Sequence, residues 1–123
     1  MTRPEITGKR DLKFSGWIRE NLPDSNTGFL VSDFDFVLCN KRTKQMMMLE
    51  IKTRNKKVPK WQYELFRNIA NSLRLGMKNF MPKWTFVGYH IITFENTFFD
   101  DGNVYFNDRL TNEKELIEKL SME

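Results

Sequence analysis

Two aspartates and a glutamate–lysine pair stand inside the most hydrophobic stretch of this chain: Asp33 and Asp35 in "SDFDFVL", then Glu50 and Lys52 in "MMMLEIK". In a strand, side chains alternate faces, so Asp33 and Asp35 share one face, with Phe34 and Phe36 on the other. Glu50 and Lys52 likewise share a face, with Leu49, Ile51 and Thr53 on its reverse. A hairpin centred between Arg42 and Thr43 sets Asp35 opposite Glu50 and Asp33 opposite Lys52. Opposed residues on one face have Cβ atoms about 5 Å apart, and two carboxylates at that separation repel by roughly 3 kcal/mol at an effective dielectric near 20. A positive charge between them is expected. Lys52 supplies part of it. Hard oxygen ligands converging at a strand end are what Mg²⁺ or Mn²⁺ requires, with the Ile51 carbonyl as a further oxygen; either aspartate could join Glu50, and the register favours Asp35, which leaves Asp33 as a second ligand or a partner for Lys52.

The elements that must hold these groups follow from periodicity and punctuation. Phe14, Trp17 and Ile18 recur at helical spacing until Pro23, which predicts a helix over 13–22. Residues 24–28 read as a loop. Residues 29–39 and 45–53 read as two strands joined by the basic turn Asn40 to Lys44. Val58-Pro59 breaks the chain, and Leu65, Phe66, Ile69, Ala70 and Leu73 predict a central helix over 61–75, ended at Gly76. Residues 85–99 are rich in β-formers, Asp100 to Asn103 is a turn, and Val104 to Phe106 starts another strand. Asn112 followed by Glu115 marks the start of a last helix with Leu116, Ile117 and Leu120 on its apolar face. The expected fold is α/β (α+β), a mixed central sheet flanked by helices in the order α-β-β-α-β-β-α, in one domain of 123 residues.

That constellation resembles the PD-(D/E)xK nuclease superfamily, the restriction-endonuclease-like fold shared by many restriction enzymes and Holliday-junction resolvases. The carriers are the aspartate strand "SDFDFVL", then Glu50-Ile51-Lys52 as the E-x-K, then a helix opening "WQYELF". Ser32 stands where the name motif has proline. The resemblance implies catalytic roles for Asp35, Glu50 and Lys52, support from Gln62 on the following helix, and a first-helix glutamate, for which Glu20 is the candidate. It further implies a Mg²⁺- or Mn²⁺-dependent endonuclease that hydrolyses phosphodiester bonds in DNA, selective for branched or junction structures and acting as a homodimer. The competing classes are a module that grips nucleic acid without cutting it, and the nuclease subunit of a restriction or repair assembly.

Charge agrees with a polyanionic partner. Twenty Lys and Arg stand against sixteen Asp and Glu, and the excess is clustered: Lys41, Arg42 and Lys44 in one group, Arg54, Lys56, Lys57 and Lys60 in a second with no acid among them. Such groups bind phosphate without reading sequence; two solvated loops are the plainer reading. With 40% apolar and 14% aromatic residues the chain is no disordered tail, and no stretch approaches the roughly 20 apolar residues of a membrane span. The first residues have no apolar core of a signal peptide and the single cysteine, Cys39, makes no internal disulfide, so a reducing cytoplasm is expected. Cys39 is expected to be buried beside Leu38 without a zinc-type partner, Met46 to Met48 to be core packing, and His90 to be structural. Asp11-Leu12-Lys13 has D-x-K spacing, but no carboxylate strand precedes it.

Overall fold

A computed structural model describes residues 13–32 and 34–123. The described residues fall in two compact units, one ending at Ser32 and one holding all that follows. The first contains helix α1, Lys13–Asn21, extended by the bond from Leu22 N–H to the Ile18 carbonyl (3.0 Å), with Phe14 and Trp17 stacked at 5.5 Å. The stretch read as a loop is a single 3₁₀ turn, Ser25–Thr27, capped by the Asp24 side chain and closed by Gly28 at φ 91°.

The second unit is a five-stranded mixed sheet with helices on both faces. Its strands are β1 (Phe36–Asn40), β2 (Gln45–Lys52), β3 (Thr85–Phe94), β4 (Val104–Phe106) and β5 (Arg109–Thr111), lying in the order β1-β2-β3-β4-β5. Only β2 and β3 run parallel, and they are joined through helix α2, Lys60–Phe80. Helix α3, Glu113–Ser121, covers the other face. Met48, Phe66, Ala70, Met77 and Phe86 make the core under α2, while Leu49, Ile92, Phe94, Val104 and Leu116 make the core under α3. Being central and covered twice, β2 is buried without interruption from Met47 to Glu50, which is why it reads as an apolar run and not as an alternation. The three methionines pack into the sheet as expected, Met48 with no exposure at all.

The hairpin register is the expected one: Phe36 pairs with Leu49 and Asn40 with Gln45. The Asn40 side-chain oxygen accepts from Arg42 N–H (3.0 Å) and Thr43 N–H (3.2 Å), which closes the turn. The first strand, however, is five residues and not eleven. Residues 29–35 precede it as irregular chain as far as they are described, and Asp33 lies outside the described residues, as does Asp11. The alternation expected there is broken: the Phe34 ring packs on Phe66 of α2 (4.8 Å), whereas Phe36 pairs with Leu49 on the α3 side. The physical cause lies at Asp35: its carboxylate takes the Ile51 N–H, so the ladder ends at Phe36–Leu49, three residues before β2 itself ends at Lys52.

Three further differences have simple causes. Gly76 does not end α2, because one glycine costs only about 1 kcal/mol and Met77 and Phe80 continue the helix, Met77 into the core. Helix α2 stops at Met81-Pro82 instead. Cys39 is exposed, not buried, because its side of β1 lies at the sheet edge. A fifth strand, not expected from the sequence, follows a two-residue turn at Asn107 and Asp108, whose φ values of 50° and 67° suit the right-handed twist of a tight hairpin. The start of α3 is as read: Asn112 accepts from Glu115 N–H (2.9 Å). No helix among the described residues is long and apolar enough to cross a membrane.

Candidate functional site

Glu50 is the most deeply buried charged group described, at 3% exposure, and it lies near the end of the central strand. Strand alternation turns it and Lys52 toward α2. Lys52 Nζ stands 3.5 Å from Glu50 Oε1, and Gln62 Nε2 donates to the same oxygen at 3.4 Å. Gln62 reaches it because it sits one helical turn before Phe66 and two before Ala70, on the stripe of α2 that faces the sheet. The other carboxylate oxygen, Oε2, is buried with no hydrogen-bond partner. Burial, and then the nearby Asp35 carboxylate, push the Glu50 pKa above the usual range, against the lowering pull of Lys52 and Gln62.

Asp35 completes the acidic pair. Its Oδ2 accepts the Ile51 N–H at 2.7 Å, which ties the residue before β1 to the middle of the Glu50-Ile51-Lys52 tripeptide. Asp35, Glu50, Lys52 and Gln62 are thus brought together as expected. Glu20 lies exposed on α1, in the first unit.

The two basic groups are separated by the length of β2. Lys41, Arg42 and Lys44 lie in the turn before Gln45, whereas Arg54, Lys56, Lys57 and Lys60 follow Lys52, so the eight-residue strand holds the groups roughly 25 Å apart. The first group is engaged locally, Arg42 with Glu123 (3.7 Å) and Lys44 over the Trp84 ring (5.5 Å). In the second group Lys60 approaches Glu64 at 4.0 Å, and the loop backbone is held against the β3 end: Arg54 N–H donates to the Asn96 carbonyl (2.7 Å) and Asn55 N–H to the Phe94 carbonyl (3.1 Å). Arg54 and Asn55 both have left-handed φ, 55° and 53°, so the chain turns sharply just beyond the acidic pair.

Two tyrosines join the site without having been expected from the sequence. Tyr89 on β3 and Tyr63 on α2 have rings 6.1 Å apart, and the Tyr89 hydroxyl is buried without a partner. Burial, then the Glu50 charge, then Tyr63 and Asp35, raise the Tyr89 pKa above its ordinary value. Tyr89 reaches this face through a bulge. Phe86 pairs with Met46 and Tyr89 with Met48, so one extra residue is inserted in β3, and Gly88 at φ 103° accommodates it. A tyrosine in a β-rich run gives no sign of this, and Gly88 inside the strand was the available signal. His90 is held at both ring nitrogens: its Nε2–H donates to the Val87 carbonyl (2.6 Å), and Nδ1 accepts from the Asn107 amide (2.9 Å).

Among the described residues no three of His, Cys, Asp and Glu converge as a metal cluster, so the acidic pair stands by itself. Two carboxylates still fit a small hard cation, since Mg²⁺ is commonly held by one or two carboxylates with water and substrate phosphate filling the rest. The unpartnered Glu50 Oε2 is the observation that favours such an occupant. No family model, curated protein or solved structure matches this chain.

Proposed function

We propose that this chain is a divalent-metal-dependent nuclease of the PD-(D/E)xK type, with a restriction-endonuclease-like core, that hydrolyses phosphodiester bonds in DNA and prefers branched or junction structures. The observation that carries the reading is Glu50: a buried carboxylate with one oxygen unpartnered, beside a second carboxylate and a lysine, is costly unless a cation joins it. Asp35 and Glu50 would hold the cation. Once bound, Mg²⁺ or Mn²⁺ supplies Lewis-acid polarisation of a phosphate oxygen.

The chain's own residues do the rest. Gln62 fixes the Glu50 carboxylate through Oε1 and leaves Oε2 free. Lys52, half-buried and 3.5 Å from that carboxylate, places an ammonium where it orients a water and offsets charge developing on the phosphate. Arg54, Lys56, Lys57 and Lys60 hold the phosphate backbone beside the site. The absence of a recognition helix among the described elements favours structure over sequence as the selected feature. The resemblance favours a homodimer, to be tested by light scattering on the purified protein.

The test is incubation of purified protein with labelled four-way junction, flap, single-stranded and duplex DNA in Mg²⁺, Mn²⁺ or EDTA. Cutting that requires the metal is expected. Binding without cutting in either metal would replace the nuclease by a nucleic-acid-binding module.

A further inference from the structure

Beside the acidic pair, on the same face of the sheet, lies a cleft of about 720 Å³. Its floor is the α2 side of β3 and β4: Tyr89, Ile91, Thr93 and Tyr105. Because Glu50 pairs with Ile91 and Lys52 with Thr93, the floor begins one strand, about 5 Å, from the site. One wall is Tyr63 from the first turn of α2, which is 41% exposed. Lys56 and Lys57 stand on the pinned loop after β2, and Asp108 stands on the β4–β5 turn.

We infer that this cleft seats one unpaired nucleotide of a DNA strand, its base on the tyrosines and its phosphate on Lys56 and Lys57, next to the phosphodiester that the Asp35–Glu50–Lys52 site acts on. The chemistry next door rests on the nuclease reading, whereas the seat itself rests on the cleft.

Three features choose this occupant. The volume lies within the roughly 300–1,000 Å³ of sites that seat a small ligand, the scale of one nucleotide and not of a duplex. Aromatic faces at a basic rim are the combination that binds single strands, since every base has a π-face and every nucleotide a phosphate. Paired bases hide their faces in the stack, so only an unpaired one reaches a tyrosine. Charge sets the orientation: the phosphate is drawn to the lysine loop and repelled from Asp108, which leaves the base toward Tyr105 and the β4–β5 turn. That turn is held firmly, because the Asn107 amide accepts from Ile91 N–H (2.9 Å) and donates to His90. The unpartnered Tyr89 hydroxyl gives a buried donor at the floor.

The test is binding in EDTA, where no strand is cut, to a blunt duplex and to the same duplex with a short thymidine tail, read by fluorescence anisotropy. The wild type is expected to bind the tailed duplex about tenfold more tightly, the scale of stacking one base. Tyr63→Leu should bring the tailed duplex down toward the blunt one, Tyr63→Phe should keep the preference, and an abasic tail should lose it. Equal affinity for tailed and blunt DNA would overturn the inference, as would a Tyr63→Leu variant that weakens both by the same factor. Failure of the two readings is distinguishable. Tail preference in a protein that cuts nothing in Mg²⁺ or Mn²⁺ removes the nuclease and keeps the seat. Metal-dependent cutting without tail preference does the reverse.

Discussion

Glu50 is a buried carboxylate with one oxygen unpartnered and a second carboxylate beside it. Its folded pKa lies above its ordinary value of 4.5, so folding favours the protonated form. The stability this confers is fully present below the unfolded pKa and is lost as pH rises through the higher folded one. The metal-free melting temperature should therefore fall from about pH 4.5 upward, and Glu50→Gln, which keeps the volume and cannot ionise, should flatten that fall. At neutral pH the variant should melt no lower than the wild type without metal, and it should lose both metal stabilisation and cleavage. Melts at acid and neutral pH, with and without Mg²⁺, read this; a large drop in the variant's midpoint would count against the facing carboxylates. Lys52 separates differently. Lys52→Ala should slow saturated cleavage by at least roughly a hundredfold, the scale of one transition-state stabiliser, while affinity changes little. If affinity falls as far as rate, the ammonium merely holds phosphate like the lysines of the loop.

At the scale of elements, β2 works as a spacer with different tasks at its two ends. Replacing Arg54, Lys56 and Lys57 together by alanine should weaken DNA binding for all substrates. The slope of log affinity against log salt should shrink by up to about 0.9 for each phosphate that is no longer neutralised. The matched triple of Lys41, Arg42 and Lys44, at the far end of the strand and partly engaged with Glu123 and Trp84, should change that slope much less. Salt titrations of the two triples side by side read the difference, and equal slopes would mean that DNA runs the length of the strand. The same logic of position explains Tyr89. Without the bulge at Gly88 the parity of β3 would turn it away from Glu50, so one backbone irregularity decides which aromatic ring meets the acidic site.

For the molecule as a whole, the sheet separates the candidate site from a purely apolar face. The α2 face carries Glu50, Lys52, Gln62 and the cleft, while the α3 face is packed by Leu49, Ile92, Phe94, Val104 and Leu116. Leu116 is 2% exposed and its truncation leaves a cavity, so Leu116→Ala should cost about 2–5 kcal/mol in a denaturant melt. Because it lies on the opposite face, cleavage per folded molecule should persist well below the lowered midpoint. Loss of activity in a sample still fully folded would show that the support layer sets the site's geometry more tightly than its position implies.

What the amino-acid order determined by itself is what local chemistry dictates. The apolar run of β2 with its charged end, the hairpin register through Asn40, the cap at Asn112 and the turn of α2 that carries Gln62 each depend on residues close in the chain. They were legible because propensity, spacing and capping agree. Tertiary structure decided the rest. How far β1 extends depends on the Asp35 carboxylate taking the Ile51 N–H; whether Gly76 ends a helix depends on Met77 finding a core. The pairing of Tyr63 with Tyr89 and the cleft between β3, β4 and the Lys56 loop join residues far apart in the chain, brought together by a parallel crossover and a bulge. Such contacts arise only when the sheet closes around one core, because the burial that stabilises them belongs to no single segment.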